Sequence, residues 1–202
     1  MSSPDSDIIF AGSIPKIYES YLVPLIFAPF ATDMAARLAH YSVSSVLEIA
    51  AGTGAVTRAL ASALPENVSI IATDLNEAML EYGQSVGTCR PVEWRQADAA
   101  ALPFTDETFD AVICQFGVMF FPDKAKAFAE TYRVLRPGGV FLFNVWDRIE
   151  KNQFVHTVTT ALEPIFPEDP PRFHARVPHG YWSRSSIERD LAPRGVIAEP
   201  EF

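Results

Sequence analysis

The feature that most constrains this chain is a regular alternation of short apolar runs with amphipathic segments across residues 45–146. Ser45-Val46-Leu47-Glu48-Ile49-Ala50 is nearly continuous in apolar character, the pattern of a strand buried on both faces. Segments 68–73, 92–97, 109–115 and 140–146 read as further strands. Between them lie helical segments: 56–64, closed by Pro65; 77–86, with Asn76 as its cap and Gly87 at its end; and 123–135, followed by a turn at Arg136-Pro137-Gly138-Gly139. Strands separated in this way run parallel, joined by crossover helices that cover both faces of one sheet. The expected fold class is therefore α/β, a doubly wound and mostly parallel sheet.

The flanks differ from this core. Residues 2–13 read as a polar arm, and 15–21 and 29–40 as two helices, the second placing Ala31, Met34, Ala35, Leu38 and Ala39 at helical spacing. Beyond Lys151 lie seven of the sixteen prolines, with helices expected over 152–165 and 183–191 and a strand over 196–202. A length of 202 residues suits one domain. Its expected parts are a helical cap (1–43), a ligand-binding core (44–147), and a second cap with a sixth strand (148–202).

A 49% apolar and 20% charged composition supports a real core. Sixteen basic against twenty-five acidic residues give a net charge of -9, which disfavours a nucleic-acid partner. The longest early apolar stretch, 21–30, holds Pro24 and Pro29 and falls short of the ~20 residues that cross a bilayer. Without a secretory pattern, the expectation is a cytoplasmic protein with no membrane partner. Cys89 and Cys114 read as reduced core thiols, with neither a disulfide nor a metal site.

In an open parallel sheet, ligands bind beyond the carboxyl ends of the strands, where strand order reverses. The first strand runs there into Ala50-Ala51-Gly52-Thr53-Gly54. Glu48, Asp74 and Asp98 close the first three strands, so three acidic groups are expected around one crevice. A dinucleotide site shares the glycines and an acidic residue about twenty positions on, here Asp74. Its third glycine is missing, since Thr57 stands there. A carboxylate at Glu48 would also repel a pyrophosphate. A cationic, phosphate-free nucleoside fits the same turn.

The segments Val46-Leu47-Glu48-Ile49-Ala50-Ala51-Gly52-Thr53-Gly54, Ala72-Thr73-Asp74-Leu75-Asn76-Glu77-Ala78-Met79, Gln96-Ala97-Asp98-Ala99-Ala100-Ala101-Leu102-Pro103-Phe104, Phe109-Asp110-Ala111-Val112 and Arg133-Val134-Leu135-Arg136-Pro137-Gly138-Gly139 resemble, in order and spacing, the motifs of class I S-adenosylmethionine-dependent methyltransferases. The similarity is greatest to the small-molecule group of the quinone-biosynthesis type. It implies a Rossmann-like methyltransferase fold, S-adenosylmethionine as cofactor with S-adenosylhomocysteine as product, and a small organic methyl acceptor.

Residue by residue, the resemblance implies that Glu48 neutralises the methionine ammonium. Ala50, Gly52 and Gly54 form the turn that makes room for the methionine moiety. Asp74 binds the ribose hydroxyls, and Leu75 and Met79 pack on the adenine. Asp98 and the Ala99 amide read the adenine edge; Gln115 and Phe116 border the methionine tail and methyl group; Tyr18 closes over the cofactor. His156, His174, His179 and Asp147 are candidate bases, none of them assigned, so no catalytic residue is named. Gln115-Phe116-Gly117-Val118 replaces the Asn-Pro-Pro-Tyr or Asp-Pro-Pro-Tyr of amide and adenine methylating enzymes, which favours a small acceptor.

The family closes its sheet with two last strands, of which only 196–202 has a counterpart here. The expectation is that strand six pairs directly with strand five, that a homodimer completes the open edge, or that the chain is truncated. Two other functional readings stand beside methyl transfer: a non-catalytic S-adenosylmethionine-binding or interaction module, and an NAD-dependent oxidoreductase.

Overall fold

A computed structural model describes residues 12–168 and 172–192. The expected arm is almost wholly, and the strand expected over 196–202 entirely, outside the described residues. Five strands form one sheet: β1 (Ser45–Ile49), β2 (Ser69–Asp74), β3 (Glu93–Gln96), β4 (Phe109–Gln115) and β5 (Leu135–Asn144). Their order is β3-β2-β1-β4-β5, and each neighbouring pair is parallel. Order reverses between β1 and β4, so the crevice at their carboxyl ends is the switch point of a doubly wound sheet.

Alternation along the strands explains the two layers. Val46, Ala111 and Ile113 belong to one buried cluster with Met34, Leu38, Val56 and Leu60. Leu47, Ile49, Val112 and Cys114 belong to the other, with Phe128 and Val134. Successive side chains leave a strand on opposite faces, so an unbroken apolar run feeds both cores at once. The covering helices are α1 (Ile14–Leu38), α2 (Ala55–Ala63), α3 (Glu77–Val86) and α4 (Lys124–Val134). Beyond β5 come α5 (Gln153–Leu162), α6 (Phe173–Arg176) and α7 (Arg184–Leu191).

Three expectations change. The two N-terminal helices are one continuous run, α1, whose central Tyr18–Phe27 is π-helical with Pro24 inside it. Proline lacks an N–H and crowds the carbonyl four residues back; the wider turn accommodates it, and the Ala28 amide bonds the Val23 carbonyl five residues back. This helix is 25 residues long and contains an 18-residue stretch apolar enough to meet the length and composition of a membrane span. Ala31, Met34, Ala35 and Leu38 in its second half are nonetheless buried in the core. Second, the turn expected at 136–139 lies inside β5: Leu135 still pairs with Phe109, and a register shift with Gly138 at φ +80° absorbs the extra residues. Third, Cys114 is buried, but Cys89 is exposed.

The amino ends of the strands are clasped by Asp110. Its carboxylate accepts from the Ser44 amide (2.8 Å) and hydroxyl (2.6 Å), the Ser45 amide (3.0 Å) and hydroxyl (3.1 Å), and Arg136 Nη1 (2.6 Å). These bonds join β1, β4 and β5 away from the crevice.

Candidate functional site

A cavity of about 830 Å³ opens at the carboxyl ends of β1, β2 and β4, within the size range of small-molecule sites. Tyr18, Ala50, Gly52, Asp74, Leu75, Met79, Asp98, Ala99, Gln115 and Phe116 all line it. The strands on either side of the switch point end in the same unusual way: Ala50 and Phe116, each just past its strand, have φ of 55° and 49°. Left-handed backbone at residues with a Cβ costs energy and gathers at functional sites. The Asn144 side chain accepts from the Phe116 amide (2.9 Å) and holds that turn.

Asp74 closes β2 and organises the glycine turn from beneath. It accepts from the Gly52 amide (2.8 Å) and the Asn76 amide (2.8 Å). Burial raises its pKa, and the hydrogen bonds from Asn76 and Gly52 only partly oppose that. With the Asn76 side-chain amide also donating at 3.4 Å, both of its oxygens are held by the chain, and it is a buried carboxylate that faces the cavity. Gln115, leaving β4, gives its amide N–H to the Phe27 carbonyl (3.3 Å), and its Oε1 is buried without a partner. Asp98 sits at the rim, where its carboxylate accepts from the Ala100 amide (2.8 Å), so it shapes its own turn while bordering the cavity.

Two of the residues expected to touch a ligand are set apart from the cavity wall. Glu48 points into the sheet–helix layer, where it accepts from the Thr57 hydroxyl (2.6 Å). Burial pushes its carboxyl up to about 8, so at neutral pH it is mostly protonated. Glu48 therefore brings no full negative charge to the turn, and the carboxylates that face the cavity are Asp74 and Asp98. Gly54, at φ +83°, is the N-cap of α2, and a Cβ there would strike the Trp94 ring. Its bareness serves helix packing. Gly52, at φ +58°, is the glycine that borders the cavity.

The far wall comes from the caps. Tyr18 and Phe27 stack at 4.9 Å, and Phe116 and Trp146 lie face to face, 3.8 Å apart and 3° from parallel. Phe30 meets both of the latter edge-on, at 5.0 and 5.4 Å. Burial, then Asp74 and Glu19, raises the Tyr18 pKa and keeps its hydroxyl protonated. Of the candidate bases, His174 and His179 line the cavity, whereas His156 is exposed and Asp147 turns its carboxylate to the Arg148 amide.

Glu19, outside the cavity wall, braces the site in a way its own sequence position did not reveal. It accepts from Thr53 Oγ1 and Arg58 Nη2, each at 2.6 Å, and so ties α1 to the glycine turn and α2. Its partners stand 34 and 39 positions away; the local signal was a carboxylate beside Tyr18, just before the apolar run 21–31.

Comparison with known proteins bears on this geometry. Residues 47–143 match the family model described as a methyltransferase domain. Over 102 residues the chain is 41% identical to the ubiquinone/menaquinone biosynthesis C-methyltransferase UbiE of Escherichia coli K12. That match covers 48% of this chain and 41% of the relative, so the chain spans less than half the length of the curated relatives it matches. Among solved structures, BH2331 of Bacillus halodurans C-125, described as a methyltransferase, superposes with a TM-score of 0.60 at 27% identity, covering 81% of this chain and 68% of that one. An S-adenosylmethionine-dependent methyltransferase from Thermotoga maritima gives a TM-score of 0.62 at 19% identity, covering 91% and 80%. At that identity the likeness shows the fold alone.

Proposed function

We propose that this chain, whose core belongs with the class I S-adenosylmethionine-dependent methyltransferases, moves a methyl group from that cofactor directly to a small organic acceptor. The observation that carries the reading is Asp74: a buried carboxylate at the end of β2 that holds the Gly52 amide of the turn and lines the cavity. The ribose hydroxyls are donors that suit a carboxylate in this place. The unpartnered Gln115 Oε1 supports the same ligand, as an acceptor for the methionine ammonium. Gly52 leaves bare backbone for the methionine moiety; Leu75 and Met79 offer apolar surface to the adenine, and Asp98 and the Ala99 amide its polar edge.

When bound, S-adenosylmethionine supplies a methyl group already attached to a good leaving group, a sulfonium. The protein's task is then alignment. Holding reacting atoms ~3–3.5 Å apart in the right orientation is worth ~7–11 kcal/mol without any nucleophilic side chain. The stacked Phe116 and Trp146, with Phe27 and Phe30, make that region apolar, which excludes water and favours a transition state in which positive charge disperses.

Calorimetric titration tests the reading. S-adenosylhomocysteine is expected to bind and NAD not to bind; the reverse would assign the site to a dinucleotide. Transfer of labelled methyl into a panel of phenols, quinols and amines then separates an enzyme from a non-catalytic binding module.

A further inference from the structure

His179 is buried, with 4% of its surface exposed, yet it lines the cavity. Its Nδ1 lies 2.7 Å from the Asp147 carbonyl oxygen. A carbonyl only accepts, so Nδ1 must carry the proton, and in the neutral ring Nε2 is left as the basic nitrogen. The ring stands 6.1 Å from Trp146, which itself stacks on Phe116 where β4 opens into the cavity. The other titratable groups on the wall are Tyr18, Asp74, Asp98 and His174. Tyr18 stays protonated, and Asp74 and Asp98 belong to the cofactor end. His174 is exposed, partial desolvation and its neighbour His179 lower its pKa, and no hydrogen bond sets its tautomer among the described residues.

We propose that His179 is the general base of the methyl transfer, and that the acceptor is a planar aromatic carrying an ionisable hydroxyl, a phenol-class molecule. The inference rests on the methyltransferase reading and goes beyond it. The acceptor ring lies against the aromatic wall, and its hydroxyl proton passes to His179 Nε2. The oxygen lone pair forms the new bond to the methyl carbon as the carbon–sulfur bond breaks, its electron pair staying on sulfur. The products are an aryl methyl ether, S-adenosylhomocysteine and a protonated His179, whose Nδ1–H gives a charge-assisted bond to the Asp147 carbonyl. The proton is released to solvent when the products leave.

The test uses the full chain with S-adenosylhomocysteine and 4-nitrophenol, whose phenolate is read by its absorbance. Calorimetry comes first: wild type and His179→Asn should bind S-adenosylhomocysteine alike, and failure of the wild type to bind would sink the methyltransferase reading itself. In His179→Asn the amide nitrogen can still donate to Asp147, so the fold is kept while the base is lost. At one fixed pH, bound 4-nitrophenol should carry about tenfold more phenolate per neutral phenol in wild type than in His179→Asn, and His174→Phe should leave the wild-type ratio unchanged. In histidine-labelled protein, ¹⁵N spectra should show His179 protonated at Nδ1 with Nε2 bare. Equal phenolate ratios in wild type and His179→Asn, a ratio lost only in His174→Phe, a protonated Nε2 in the neutral ring, or no binding of 4-nitrophenol by wild type would each overturn the proposal.

Discussion

At the amino end of the sheet, Asp110 accepts five hydrogen bonds from Ser44, Ser45 and Arg136. Burial works against its charge, but those donors, Ser44 foremost, hold its carboxyl well below the usual range. At the carboxyl end, Asp74 and Glu48 are also hydrogen-bonded, yet burial dominates and both are pushed up. One fold thus contains a carboxylate whose hydrogen bonds outweigh its burial and others whose burial outweighs their hydrogen bonds. The first closes a structure. Asp74, which also faces a cavity, is poised for a donor from outside, which is why perturbed groups in clefts point to function.

The widest test of this contrast is Asp110→Ala. It removes a charge-assisted network and is expected to lower unfolding stability by about 2–4 kcal/mol, while leaving S-adenosylhomocysteine affinity unchanged in calorimetry. The pH dependence has a definite sign. Because folding depresses this carboxyl, its contribution is complete above the unfolded pKa of ~3.9 and fades as pH falls through the folded value. The stability gap between wild type and Asp110→Asn, measured by urea denaturation, should therefore narrow as pH drops below about 4. A gap of the same size at pH 3 and pH 7 would remove Asp110 from this role.

Asp74→Ala is the mirror experiment. It should weaken S-adenosylhomocysteine binding by about 1–3 kcal/mol, roughly 5- to 150-fold in dissociation constant. Its cost to unfolding should be smaller than that of Asp110→Ala, because burial opposes the charge of Asp74 and offsets much of what its hydrogen bonds contribute. Unchanged affinity would break the contrast at its functional end.

What the sequence made legible follows the same division. The sheet was readable because nearly continuous apolar runs such as 45–50 fit strands covered on both faces, and Asp74 was readable because its place at a strand end is a matter of register. The caps were not. In an α-helix the nine positions from Tyr18 to Phe27 make about two and a half turns and put the rings on opposite faces; the π-helical widening around Pro24 stacks them over one cavity. Glu19 owes its role to partners far along the chain. Glu48 was read as a charge because its residue type is acidic, whereas the depth of its burial against Thr57 keeps it largely neutral.

The two glycines of the turn offer the finest test, since spacing alone treated them as equivalent. Both have left-handed backbone, with φ of 58° at Gly52 and 83° at Gly54, so alanine costs about 1–2 kcal/mol at either position. What a Cβ would meet differs. At Gly54 it strikes the Trp94 ring, whereas at Gly52 its nearest neighbour is the flexible end of Met79, 3.5 Å away. Gly54→Ala should therefore lose about 1 kcal/mol more stability than Gly52→Ala in thermal unfolding. Ligand binding should reverse the order, because Gly52 borders the cavity and Gly54 packs between helix and strand: Gly52→Ala should weaken S-adenosylhomocysteine by a few-fold, and Gly54→Ala less. If Gly54→Ala were the more damaging to binding at equal stability, its bareness would serve the ligand after all, and the line drawn between turn and packing would have to move.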